Sequence, residues 1–177
     1  EIRRAWEAHR HQLTPDNDRF QNPLSRFERM FSRESLEDQL VDCVVGCETT
    51  VLKGGSPGGN KYRLGVRTAV LLGDRNNRYW SSDRVGEFFR TMYEYRNKVV
   101  HEDTTLPDKP SSGERIAVGE ERFIASTFLV RARELYANLI LEYLNLVTSQ
   151  DMSLQEINKQ IDNRTLEHGV EIREELF

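Results

Sequence analysis

Cysteine is nearly absent, with only Cys43 and Cys47 in 177 residues. Two thiols cannot form a disulfide framework, and no Cys or His lies near them at the spacing a zinc ion needs. Four apart in a helical stretch, they point along one face and read as small buried hydrophobes. No metal site and no cofactor are expected. Long apolar runs are missing too. None approaches the ~20 residues of a membrane span, and Glu1-Ile2-Arg3-Arg4 has no apolar stretch behind it to make a signal peptide. The expectation is a soluble, cytoplasmic protein with no membrane partner. Because the chain opens on Glu1 rather than Met, an upstream domain in the same chain is left open as a further partner. Positive charge is not in excess: the formal net charge is −4, which argues against a surface coated in positive potential. Sustained strand alternation and internal repeats are also lacking.

What is present suits one compact domain built from amphipathic elements. Hydrophobic residues make up 37% of the chain and charged residues 31%, enough for a core and too apolar for disorder throughout. The charge is unevenly spread. From Lys53 to Lys98 ten basic residues face four acidic ones, a local balance of +6 that leaves −10 for the remainder. Such a basic middle could present a phosphate-binding surface, although solvated helix faces of mixed charge explain such counts more often.

Residues 1–21 are polar and interrupted by Pro15 and Asn22-Pro23. They read as an arm, or the remnant of an upstream region, with a short helix around Arg3 to Leu13. Residues 22–177 read as a single helical domain. Leu24, Phe27, Met30 and Phe31 recur at helical spacing, and a second helix carries Leu36, Leu40, Val41, Val44, Val45, Val51 and Leu52. Gly54-Gly55-Ser56-Pro57-Gly58-Gly59-Asn60 is a flexible loop by composition. Residues 61–73 form a short, central helix, apolar on almost every side, with Gly73 expected as a left-handed cap. Ser81 or Ser82 can cap the next helix, which runs to about Val100 with Val85, Phe88, Phe89, Met92 and Val99 on one side. After a loop with Pro107, Pro110 and Gly113, a long helical stretch is expected from roughly Glu120 to Val147. Ser153 and Glu156 make a capping box before Leu154, Ile157 and Ile161. The class is all-α, most simply a bundle with one long helix in its C-terminal half.

Three charges sit where packing alone would place none. At about 100° per residue, Arg96 falls in the middle of the stripe formed by Val85, Phe89, Met92 and Val99. Glu48 is the only charge from Cys43 to Leu52, and Arg67 the only one between Leu64 and Leu72. An unpaired buried charge costs several kcal/mol, so each needs a partner or a water-filled cleft. The simplest internal ion pair is Glu48 with Arg67. That pairing leaves Arg96 surplus and makes it the candidate for an anion-binding cleft, with snorkelling of its long stem as the competing explanation.

Arg96-Asn97-Lys98-Val99-Val100-His101 places an arginine, a polar residue directly after it and, with four residues between it and the arginine, a histidine near the end of that helix. This R-x4-H pattern resembles the signature of HEPN domains, small helical bundles many of which are metal-independent ribonucleases. More of the chain agrees. Leu36 to Glu48 resembles the helix of ApeA-like HEPN domains that carries a characteristic Glu. Arg63-Leu64-Gly65-Val66-Arg67-Thr68-Ala69-Val70-Leu71-Leu72-Gly73 resembles their Arg-Ala-Leu-Leu-Gly helix, and Met92 to His101 their motif helix. Order and spacing fit from about Leu24 to Leu146. Two features depart. Glu102 and Asp103 follow the histidine where Gly is usual, and residues 1–21 and the tail after Ser149 match nothing in the pattern.

The resemblance implies a HEPN-like bundle and an endoribonuclease that cleaves RNA by attack of the 2′-hydroxyl on the adjacent phosphate, as the effector of a prokaryotic antiviral defence or toxin system. The chemistry needs a proton acceptor for the 2′-hydroxyl, a proton donor for the leaving 5′-oxygen and positive charge for the transition state. His101 suits proton transfer, Arg96 the permanent charge, and Asn97 hydrogen bonding to phosphate or ribose. Lys98, Arg90 and Arg63 are the further RNA-binding candidates. On one regular helix Arg96 and His101 diverge by about 140°. Either the helix ends near Val100 or two copies complete the site, and the resemblance implies the latter, a homodimer. The alternative is a catalytically inactive HEPN module that binds RNA or nucleotide or mediates dimerisation of a longer protein. His9, His11 and His168 show no constellation and read as surface residues.

Overall fold

The computed structural model describes residues 21–52, 59–73, 80–109, 113–150 and 153–167. The arm with its expected helix at Arg3 to Leu13, most of the glycine-rich loop, and His9, His11 and His168 lie outside these residues. Among them the chain forms α1 (Gln21–Ser32), α2 (Leu36–Val51), α3 (Asn60–Leu72), α4 (Ser82–Glu102), a hairpin of β1 (Ile116–Val118) and β2 (Glu121–Phe123), then α5 (Ala125–Gln150) and α6 (Leu154–Glu167). The fold is an all-α helical bundle. No described helix is long and apolar enough to cross a membrane.

The long helix α5 is the axis of the core because its apolar residues recur every three or four positions. Phe128, Leu129, Ala132, Leu135, Tyr136, Leu139, Ile140, Tyr143, Leu144 and Val147 are all buried. Each of the buried Leu, Ile, Val and Phe side chains among them contributes about 1.5–3 kcal/mol relative to exposure. Helices α1, α2, α3 and α6 pack around it, and Phe88 of α4 stacks on Phe128 with ring centroids 4.6 Å apart. Local signals set the helix starts. Ser35 Oγ accepts the Asp38 N–H at 3.0 Å to begin α2. The expected capping box begins α6, with Glu156 accepting the Ser153 N–H at 2.8 Å and Ser153 Oγ accepting the Glu156 N–H at 3.3 Å. Ser81 occupies the N-cap of α4, but its hydroxyl makes no capping bond.

Helices α3 and α4 run antiparallel in close contact, because Gly65 faces Gly86 and Gly73 faces Ser82. A Cβ on Gly65 would lie 2.9 Å from the Gly86 carbonyl oxygen, and one on Gly86 would lie 3.1 Å from that of Gly65. This seam brings the N-terminus of α3 beside the C-terminal half of α4, where Lys61 pairs with Glu94.

Three local expectations need correction. Gly73 is not a left-handed cap: its φ of −70° and ψ of 118° are extended. A Cβ there would lie 2.2 Å from Ser82 Oγ and 2.3 Å from the Ala69 oxygen, so small size is what the position requires. The long helix starts at Ala125 rather than Glu120, because β2 pairs Phe123 with Ile116 first. Three-residue strands are too short to show alternation. Finally, α4 continues past Val100 to Glu102 and ends on Asp103, whose φ of 50° is left-handed. The Thr104 N–H then reaches the Lys98 oxygen at 3.4 Å, closing the helix in a Schellman-type turn.

Candidate functional site

Glu48 does not pair with Arg67. Arg67 is 2% exposed and donates through Nε to Asp162 Oδ1 at 2.8 Å and through Nη2 to Asp162 Oδ2 at 2.6 Å, a two-pronged grip on α6. Its Nη1 also donates to the Val51 carbonyl at the end of α2. Arg67 is thus a clasp joining α2, α3 and α6. The pairing came out differently because Asp162 lies 95 residues away in sequence, where no local pattern could nominate it.

Glu48 instead accepts from Arg96. The Arg96 Nη2 to Glu48 Oε2 distance is 2.8 Å, and the two side chains are 19% and 16% exposed. Arg96 Nη1 donates to Asn97 Oδ1 at 2.8 Å, and the guanidinium carbon lies 5.5 Å from the centre of the Tyr93 ring. A carboxylate, an amide and an aromatic face therefore hold Arg96 in one orientation. Its Nε is buried without a protein partner. Burial pushes the Glu48 carboxyl above its ordinary range, while the charge and hydrogen bond of Arg96 pull the other way. Arg96 is not the surplus charge the sequence suggests, but it does line an open cleft of about 580 Å³ with Asn22, Val45, Glu48, Thr49, Leu52 and Asn60.

The other motif residues divide between this cleft and the neighbouring face. Asn97 is half-buried and orients Arg96. His101 is exposed, as are Glu102 and Asp103 beside it. Because α4 is helical through Glu102, His101 falls on the stripe of Arg90 and Asn97, within about 40° of both, and about 140° from Arg96. It is not among the residues lining the cleft. Asn97, bonded to Arg96 and sharing the stripe of His101, links the two faces. Lys98 is exposed, with Nζ 4.9 Å from the centre of the Tyr95 ring. Arg90 is half-buried, its stem lying over Gly65. Arg63 donates through Nη2 to Asn60 Oδ1 at 2.7 Å and so touches a residue of the cleft wall.

Sequence reasoning missed Asn22, Thr49 and Asn60 as cleft residues. Asn60 fell at the edge of a loop by composition, yet it opens α3, whose N-cap Gly59 has φ 66° and no side-chain cap. It also missed Asp42, a buried carboxylate that accepts from Arg26 Nη1 at 2.6 Å and Arg33 Nε at 2.8 Å. Burial works to raise the Asp42 carboxyl, but the hydrogen bonds and charges of Arg33 and Arg26 win and hold it below the ordinary carboxylate range. Cys43 and Cys47 are both buried free thiols, and burial pushes Cys47 well up from its ordinary value, which makes it a packing residue rather than a nucleophile. Among the described residues no group of three or more His, Cys, Asp or Glu is placed to hold a metal ion. Comparison with family models, curated proteins and solved structures finds no match to this chain.

Proposed function

We propose that this chain is a metal-independent endoribonuclease of the HEPN type, acting as a homodimer in the cytoplasm as the effector of a prokaryotic antiviral defence or toxin system. The observation that carries the reading is Arg96: a guanidinium fixed by Glu48, Asn97 and Tyr93 at an open cleft, five residues before a solvent-exposed histidine on the same helix. Arginine has five N–H donors. Glu48 and Asn97 each engage one, so donors remain for a phosphate.

In the proposed reaction the 2′-oxygen attacks the adjacent phosphorus as its proton is withdrawn. The bond to the 5′-oxygen breaks, and that oxygen takes up a proton, leaving a 2′,3′-cyclic phosphate and a free 5′-hydroxyl. Arg96 stabilises the charge that builds on the phosphoryl oxygens, and His101 transfers protons. The two side chains diverge on one helix, so a partner copy supplies the imidazole opposite each guanidinium.

The test is cleavage of single-stranded RNA with excess EDTA. Cleavage by the native chain that is lost in both Arg96→Ala and His101→Ala supports the reading, and undiminished cleavage in either variant rejects the assigned roles. The exposed carboxylates of Glu102 and Asp103 beside His101 favour a second reading, an inactive module that binds RNA or nucleotide or mediates dimerisation. Salt-sensitive RNA binding without cleavage selects that reading.

A further inference from the structure

Part of the cleft beside Arg96 is unsuited to a phosphate. Glu48 faces into it, so a second anion placed deep inside would meet a carboxylate. The remaining wall is neutral: Val45 and Leu52 are apolar, and Asn22, Thr49 and Asn60 are polar without charge. A volume of about 580 Å³ lies within the range of roughly 300–1,000 Å³ typical of small-molecule sites. Apolar walls with neutral hydrogen-bonding groups suit a flat, uncharged ring with a polar edge.

The hydrogen-bonding sense of two wall residues is fixed. Arg63 can only donate, so the Asn60 atom facing it at 2.7 Å is the oxygen, which leaves the amide nitrogen to donate elsewhere. Thr49 Oγ1 gives its proton to the Gly46 carbonyl at 2.8 Å, which leaves the oxygen to accept. The wall thus offers one set donor and one set acceptor, with Asn22 able to act as either. Nucleobase edges present the complementary acceptors and donors. Arg63, placed among the RNA-binding residues from sequence, sets the orientation of Asn60.

We propose that this cleft holds the nucleobase of the nucleotide whose phosphate rests on Arg96, with Thr49 and Asn60 reading the base edge. The inference rests on the ribonuclease reading for the polymer, single-stranded RNA, and adds where a base goes and which residues give preference among bases. A free mononucleotide shares the same chemistry, and the experiment separates the two.

The full chain is assayed on oligoribonucleotides that differ in the base at one cleavage position, for the native protein and for Thr49→Val, Thr49→Ser and Asn60→Ala. Each variant's fold is checked by circular dichroism. Loss of one hydrogen bond should change the ratio of cleavage rates between bases by roughly three- to tenfold in Thr49→Val and Asn60→Ala, whatever happens to the total rate. Thr49→Ser keeps the oxygen and should keep the native ratio. If the native protein cleaves but all four proteins share one base ratio, the base-site inference falls and the ribonuclease reading survives. The second arm titrates the four nucleoside 5′-monophosphates and follows the backbone amide signals of Thr49 and Asn60 by NMR. Saturable shifts that are weakened in Thr49→Val and Asn60→Ala, in a native protein that cleaves no RNA, keep the base site with a free nucleotide as occupant and reject the ribonuclease. Neither cleavage nor shifts overturns both.

Discussion

Replacing Asp162 with alanine should destabilise the bundle more than its half-exposed position on the last helix, α6, suggests. Two charges about 4 Å apart attract by ~4 kcal/mol at the effective dielectric of a partly buried site. The Asp162 side chain is 45% exposed while that of Arg67 is 2% exposed, so water screens one end of the pair and the usable part is roughly half, ~2 kcal/mol. Removal of the aspartate also leaves a buried guanidinium with the Val51 carbonyl as its remaining partner in this group. The expected cost of Asp162→Ala is therefore about 2–3 kcal/mol. At this chain length that is a fall in Tm of about 4–12 °C. Arg67→Met removes the buried charge and keeps the volume, so the double variant should be less destabilised than the sum of the singles by at least ~1 kcal/mol. Urea unfolding of the four proteins gives the cycle. A cost for Asp162→Ala below ~0.5 kcal/mol, or strict additivity, would refute the clasp, since surface substitutions lie in that range.

Three other outcomes follow from packing and charge. The folded carboxyl of Asp42 lies below its unfolded value, so its stabilisation is present above the unfolded pKa of ~3.9 and disappears as pH falls through the lowered folded value. Unfolding free energies measured from roughly pH 6 to 2 should fall less steeply in Asp42→Asn than in the native chain, and superimposable curves reject the linkage. Gly46→Ala should cost about 3 kcal/mol, because a Cβ would lie 1.8 Å from the Tyr136 hydroxyl oxygen; an unchanged melting temperature is the contrary result. Asp103→Gly relieves a left-handed residue and should stabilise by about 1 kcal/mol, read as a small rise in Tm.

The helices were legible in the sequence because their signals are local. Apolar spacing marks α2, α4 and α5, and Ser153 with Glu156 marks the start of α6. Periodicity also showed that Glu48, Arg67 and Arg96 point inward, since direction on a helix follows from angle alone. Their partners were not legible. Pairing depends on which helices meet, and the small residues Gly65, Gly86 and Gly46 that permit the close approaches carry no periodic signature. The hairpin escaped for want of length. The cleft escaped because Asn22, Thr49 and Asn60 come from three separate elements and only the fold gathers them.

The buried hydroxyl of Tyr136 donates to the Pro23 carbonyl at 2.6 Å. First turns of helices ordinarily fray, and Pro23 follows directly on Asn22, a wall of the cleft. Tethered to the middle of α5, this turn can open only by breaking that bond and leaving a buried hydroxyl without its partner, a cost of about 1–3 kcal/mol that a free helix end does not carry. The cleft rim at Asn22 is thereby pre-organised: a ligand arriving there finds a shaped surface and loses less entropy on binding than it would at a frayed end.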